Sequence, residues 1–253
     1  MNRFDLLRDR HLGERCVIVA NGPSLNTMAL ACLRAEHVIG LNKIFLGLPR
    51  LGFFPRYHVA VNPKVVAQSA REIRALGCVK FVARRAAQAA GLREDGLTHL
   101  LDTDPPPARF STDLAQGLHE GWTVTYAALQ VAWHLGFAQV VLIGLDHRYR
   151  FEGAPNEAHA MRGADPNHFD AGYFADGQVW DGPDLARSEE SYRIARSQFE
   201  SAGRTIVDAT PGGACTVFAR ADLDRVLAQP RAPLTGQPRP SPYSDRIHPG
   251  ITA

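Results

Sequence analysis

Cysteine is scarce in this chain. Cys16, Cys32, Cys78 and Cys215 lie far apart and form no CxxC pair. That spacing argues against a disulfide framework or a cysteine-ligated zinc site and reads as free thiols in a reducing compartment. An excess of one charge is also missing: 28 Lys and Arg stand against 26 Asp and Glu. A net charge of +2 leaves no strong field for gripping nucleic acid. No apolar run approaches the roughly 20 residues of a membrane span. The opening "MNRFDLLRDRHLGER" is charged throughout and lacks the apolar centre of a signal peptide. The expected location is therefore the cytoplasm, with no transmembrane segment and no nucleic-acid partner. Peripheral membrane contact and oligomerisation stay open. Neither GxxxxGK[ST] nor, after the first strand, GxGxxG occurs, which excludes a Walker loop and a dinucleotide fingerprint.

What is present is an ordinary globular composition, 45% hydrophobic and 21% charged, enough for a core without disulfides or a structural metal. Short apolar runs alternate with helix-like segments. The strand candidates are "CVIVA" (16–20), "HVIGLN" (37–42), "YHVAVN" (57–62), "CVKFVA" (78–83), "QVVLIGLD" (139–146) and "RTIVDAT" (204–210). Most lack clean alternation, as strands buried on both faces do. Helices are expected near 26–35, 64–76, 85–91, 123–136 and 188–202. Gly136 stops the fourth, and Ser188 caps the fifth. This alternation predicts an α/β fold: an open, mostly parallel sheet with helices on both faces. One domain is expected over 1–229. Within it, 147–187 is long and polar but rich in His and aromatics, which suggests an ordered lid at the carboxyl edge of the strands. Residues 230–253 are Pro-rich and read as a disordered tail.

In such sheets ligands sit at the carboxyl ends of strands. The first strand ends in Asn21-Gly22-Pro23-Ser24, the second in Asn42 and the third in Asn62. A single Asn there is adequately explained by turn or cap geometry. Three at successive tips form a neutral rim whose carboxamides both donate and accept, suited to a nucleobase, ribose or sugar hydroxyl. Gly22 allows close backbone approach, and Ser24 opens a helix whose N–H groups favour a phosphate.

The ordered set "NGPSL", "LNKIF", "VNP" and "TVTYAALQVAWHLGFAQVVLIGLDHRY" resembles the bacterial family-42 sialyltransferases. It also resembles the related proteins grouped with 6-hydroxymethyl-dihydropterin pyrophosphokinase and the motility accessory factors. The resemblance runs from about Cys16 to Phe218. It implies a Rossmann-like transferase binding a nucleotide at the strand tips, with a CMP-activated nonulosonate as donor. Asn21, Gly22, Asn42 and Asn62 match pocket residues. Thr123 and its neighbours match the Thr-Ser-Gly turn that meets cytidine, with Val124-Thr125 replacing the Ser-Gly. Asp146 and Tyr149 match the acid and the leaving-group Tyr, and Tyr173 is a spatial candidate for a second Tyr. The family's base His follows a His-Tyr pair; here the pair is His168-Phe169 and no His follows at that spacing. The "HF…YF…W" pattern and "ATPGG" lie closer to the pyrophosphokinase-like branch.

His168 and His147 are the candidate imidazoles, since a base near neutrality suits hydroxyl activation. Asp146 and Asp170 compete for that role. His58, His119 and His134 read as structural or solvated. "LDTDPPP" holds a DxD at Asp102 and Asp104 that reads as a surface loop, so no metal site is assigned. "FSTDL" reads as a cap, and "ATPGGA" offers either a plain turn or an anion-facing one. A glycosyl transfer onto a cell-surface glycan or lipopolysaccharide acceptor needs no cofactor beyond the nucleotide-sugar. The alternative, a pterin diphosphokinase, needs ATP and magnesium, with Asp146 and Asp102 or Asp104 as ligands. A non-catalytic nucleotide- or glycan-binding accessory protein is the third reading.

Overall fold

The computed structural model describes residues 2–104 and 109–230. All of the expected tail except Pro230, together with residues 105–108 of the proline loop, lies outside the described residues. The main sheet takes β1 (Arg15–Val19), β2 (His37–Leu41), β3 (Tyr57–Ala60), β4 (Val79–Ala83) and β5 (Thr98–Leu101). A small parallel pair follows, β6 (Thr103–Asp104) and β7 (Leu118–His119), then β8 (Gln139–Ile143) in the main sheet. The lid carries an antiparallel pair, β9 (Ala158–Ala160) and β10 (Val179–Asp181). The chain returns to the main sheet with β11 (Thr205–Asp208) and β12 (Ala219–Arg220).

The eight main strands lie in the order β12-β11-β8-β1-β2-β3-β4-β5, and every pair is parallel. The chain moves outward from β1 to β5, then jumps back to place β8 on the other side of β1. The order therefore reverses between β1 and β8, and such a switch point is where open parallel sheets hold ligands.

Each strand face feeds its own core. Cys16 and Ile18 of β1, with Val140 and Leu142 of β8, point into one cluster; Val17, Val19, Val141 and Ile143 point into the other. The first core is covered by α4 (Arg84–Ala89), α5 (Val124–His134) and α6 (Leu185–Ser201). α5 is buried nearly all round, from Tyr126 to Val131 and His134. That explains why its sequence is apolar without a polar face. Gly136, at φ +91°, ends it as expected.

The second core is covered mostly by short turns, by α1 (Leu48–Leu51) and by Val226 of α7 (Leu223–Ala228). The helix expected over 26–35 is two 3-10 segments, Pro23–Thr27 and Leu30–Ala35. The helix expected over 64–76 breaks at Ser69 into α2 (Pro63–Gln68) and α3 (Ala70–Ala75). The cap of α6 is Asp184, which accepts from the Arg187 N–H; Ser188 lies inside the first turn and donates to the Asp184 carbonyl. β5, "THLL", is a main-sheet strand that the sequence pattern does not reveal.

Lid residues Met161, Phe169, Tyr173, Phe174 and Trp180 join the second core. Polar ties pin the lid to the strand tips. Phe169 N donates to the Asn21 carbonyl (2.9 Å), and Asn26 donates to the Phe169 carbonyl (2.8 Å). Lys43 is buried and spends its ammonium on the Tyr173 carbonyl (2.6 Å), Gln68 (3.0 Å) and Gln178 (3.3 Å). Burial first, against the pull of Asp165 and Glu72, brings its pKa down to about 8.

Candidate functional site

A cleft of about 470 Å³ opens at the carboxyl edge of β1, β2, β3 and β8, under the lid. Asn21, Gly22, Asn42, Asn62, Thr123, Thr125, Asp146, His147, Tyr149, His168 and Tyr173 all line it. Residues read from distant parts of the chain thus meet in one space at the switch point of the sheet.

Several of them do other work than expected. Asp146 lies against the first strand tip, where its carboxylate accepts from Ser24 N (3.0 Å) and Ser24 Oγ (2.6 Å). The Ser24 N–H expected to meet a phosphate is therefore occupied by an internal carboxylate. Ser24 and Pro23 stand behind the cleft rather than lining it. Gly22 is explained by the same contact. A Cβ there would lie 1.9 Å from Asp146 Oδ2 and 2.6 Å from the Gly144 carbonyl, so the missing side chain makes room for Asp146. Its φ of −71° is ordinary. Asn62 caps α2, accepting from Lys64 N (2.9 Å) and Val65 N (3.1 Å). Thr123 caps α5 through Thr125 N (3.3 Å), with the Tyr192 hydroxyl 3.4 Å away.

Asn21 and Asn42 keep the rim reading. Their Oδ1 atoms are buried and have no hydrogen-bond partner. Orphaned acceptors cost about 1–3 kcal/mol each, a cost removed when a ligand N–H or O–H meets them.

His168 lines the same cleft. Its Nδ1 meets Asp165 Oδ2 at 2.8 Å, and its ring stacks on Tyr173 at 3.8 Å between centroids, 3° from parallel. Tyr149 meets it edge-on at 6.1 Å. Asp165 is fully buried as a side chain and also accepts from Asn167 N (2.8 Å) and Phe174 N (3.3 Å). Burial works to raise its pKa, but the His168 hydrogen bond and charge and the backbone donors outweigh that and hold it below the usual carboxylate value. A carboxylate fixed on Nδ1 leaves Nε2 as the nitrogen for proton transfer. The spacing Asp165-x-x-His168 was the legible signal for this partner.

Across the cleft His147, with a left-handed backbone at φ +54°, bonds Glu189 at 3.3 Å. Burial lowers its pKa, favouring the neutral imidazole, and Glu189 pulls the other way. Tyr149 is partly exposed, but packing around its hydroxyl, with Asp146 and Asp165 nearby, raises its pKa, so it remains a proton donor. Asp170 is spent on a turn, accepting from Gly172 N.

Four carboxylates, Glu120, Asp146, Asp181 and Asp184, line the cleft with the cations Lys64 and Arg148, and Lys64 is paired with Asp181. The cleft is no cationic trap for a polyphosphate. The magnesium pair expected for the diphosphokinase alternative does not form: Asp102 bonds Arg84 at 2.7 Å, and neither Asp102 nor Asp104 lines the cleft. Among the described residues the clustered set with metal-ligand spacing is His11, Glu14 and His37, which also lies outside it. The "ATPGG" turn packs behind Asp146, with Thr210 Oγ1 accepting from Leu145 N and Ala214 N donating to the Asp146 carbonyl.

The family model described as MptE-like, 6-hydroxymethylpterin diphosphokinase MptE-like, matches residues 2–152. The chain belongs to that MptE-like family. The matched span holds the strand-tip residues through Tyr149, while the Asp165–His168 pair and Tyr173 lie beyond it. The MAf glycosyltransferase from Magnetospirillum magneticum AMB-1 is similar in structure, with a TM-score of 0.53 and 16% identity. The match covers 83% of this chain and 34% of that one, so the MptE-like chain spans about a third of that protein's length. At that identity the likeness shows the fold. No curated protein matches the sequence. Among the described residues no helix is long and apolar enough to cross a membrane.

Proposed function

We propose that this protein is a cytoplasmic transferase using a nucleotide-activated donor. It moves a sugar from a CMP-nonulosonate-like donor to a hydroxyl of a cell-surface glycan or lipopolysaccharide acceptor. The observation that carries this reading is His168, fixed by buried Asp165 in the same cleft as the unpartnered side-chain oxygens of Asn21 and Asn42. The acceptor oxygen attacks the anomeric carbon and its proton passes to His168 Nε2. The bond from that carbon to the phosphate oxygen breaks, and CMP departs with the electron pair. Tyr149, held protonated, donates a hydrogen bond to the leaving phosphate. Asn21 and Asn42 supply acceptors for amino or hydroxyl groups of the donor. Four lining carboxylates suit a donor with one phosphate better than a triphosphate.

The family match favours a second reading, diphosphate transfer from ATP to a pterin. A thermal-shift screen across CMP, CDP, UDP, GDP and ATP, with and without magnesium, separates the two, because a ligand of the folded state stabilises it in proportion to RT ln(1 + [L]/Kd). Preference for CMP without metal supports glycosyl transfer, whereas preference for ATP with magnesium overturns it. If no donor is turned over although CMP binds, the protein is an accessory binder.

A further inference from the structure

A second cavity lies at the opposite edge of the sheet. It has a volume of about 280 Å³ and sits by Tyr57 and Val79, the first residues of β3 and β4. Strands of four or five residues at about 3.3 Å each separate it from the cleft by roughly 15 Å. Its walls are apolar, with Leu7, Phe53, Pro55, Val79 and Leu97 among them, and Phe54 at its edge is 42% exposed.

Three guanidiniums also line this pocket, those of Arg10, Arg34 and Arg56. None has a carboxylate partner among the described residues, although Arg3, Arg8, Arg15 and Arg84 are all paired with carboxylates. Glu36, the carboxylate in the same wall, is held by Arg15 through both oxygens, at 2.9 and 3.2 Å. Two of the three arginines are fixed in place. Arg34 donates to the Gly52 carbonyl at 2.5 Å and lies 5.7 Å over the Phe53 ring. Arg56 reaches His37 Nδ1 at 3.3 Å and bonds the Tyr57 hydroxyl. Arg10 acts on the same hydroxyl through its charge, and its own guanidinium has no hydrogen-bond partner among the described residues. A guanidinium fork is built for carboxylate or phosphate oxygens. Three of them line one largely apolar pocket whose single lining carboxylate, Glu36, is already held by Arg15 among the described residues.

We propose that this pocket is a second ligand site, separate from the cleft, for a small amphipathic anion: an aromatic or short aliphatic body carrying a carboxylate or phosphate. The apolar body fills the space between Leu7, Phe53 and Val79, and the anionic group meets Arg10 and Arg56.

Isothermal titration calorimetry of the full chain against phenyl phosphate, benzoate, inorganic phosphate and benzyl alcohol tests this. Phenyl phosphate or benzoate is expected to bind at one site per chain, at least tenfold tighter than inorganic phosphate or benzyl alcohol, and more weakly in high salt. Arg10→Gln removes no internal contact and is expected to weaken that binding about tenfold. Gly77 lines the pocket and a Cβ there meets no atom within 4 Å, so Gly77→Leu adds bulk at the pocket wall and is expected to weaken binding at least tenfold without loss of fold. CMP held at saturation leaves the binding unchanged. The proposal is overturned by absence of saturable anion binding, by indifference to both variants, or by displacement with CMP. It stands or falls independently of the transferase reading.

Discussion

Substituting Gly22 by Ala tests the strand tip most directly. The new Cβ would meet Asp146 Oδ2 at 1.9 Å and the Gly144 carbonyl at 2.6 Å, so the carboxylate must leave or the tips of β1 and β8 must part. If the carboxylate leaves, Ser24 N and Ser24 Oγ lose their acceptor. Hydrogen bonds to a charged group contribute about 2 kcal/mol each. Partial solvent access at Asp146 trims the pair to about 3 kcal/mol. Parting the tips instead is overpacking, which costs about 1–3 kcal/mol. Both routes give a loss of about 3 kcal/mol, or roughly 9 °C in Tm for a domain of this size. Urea unfolding measures it. Asp146→Ala costs a similar amount through the same two bonds. The double variant is therefore less destabilised than the sum by about 3 kcal/mol, because those bonds are lost only once. A Gly22→Ala cost under 1 kcal/mol, or strict additivity with Asp146→Ala, would refute the argument that Gly22 exists for Asp146.

Asp165→Asn is expected to lower donor turnover about 100-fold or more while leaving nucleotide affinity within about threefold; an unchanged pH–rate profile would remove Asp165 from the proton-transfer step. Acid should destabilise the fold early. His11, His58 and His99 are buried, and burial is the first cause that lowers their pKa values to about 3, 4 and 4. Between pH 6.5 and about 4 the unfolded chain binds protons there that the folded one does not. Stability therefore falls with pH across that window by up to about 4 kcal/mol per unit, read from urea midpoints at pH 7, 6 and 5. Lys43 works in the alkaline range: from pH 8 to 10.5 the unfolded amine is charged and the folded one is not. The wild type should gain stability relative to Lys43→Met as pH rises through that range, and parallel curves would show that Lys43 is not buried as described.

The fold was legible because parallel strands buried on both faces leave continuous apolar runs, as "CVIVA" and "QVVLI" do. It failed where that signal is absent. β5 reads "THLL", short and with His99 packed against Phe4 and Phe81 rings rather than in water. The 26–35 segment contributes Leu30 and Leu33 to the core, a spacing that fits a helix, and Leu25 just before it joins them. Yet tight turns, started by Pro23 and tied by Thr27 Oγ1 to the Ser24 carbonyl, deliver the same side chains. Periodicity reports which side chains are buried, and two kinds of backbone can satisfy it.

The site was legible as a set and misread in its parts, for one physical reason. Asn, Gly and Ser at a strand tip serve ligands and backbone alike, and the sequence does not show which polar groups are already spent. Hydrogen-bond accounting separates them. Asn62 is used by α2 and Ser24 by Asp146, so neither has that capacity left for a ligand. Asn21 and Asn42 each keep a buried side-chain Oδ1 with no hydrogen-bond partner. The resemblance places the base His after the His168-Phe169 pair, where this sequence has none, and leaves His168 itself as a candidate imidazole. The pair is divided: Phe169 packs into the core and its N–H holds the Asn21 backbone, while His168 turns to Asp165 and the cleft. One residue ties the lid to the Asn21 backbone, and its neighbour carries an imidazole into the same cleft. A shift of the lid at Phe169 would therefore disturb Asn21 and His168 together.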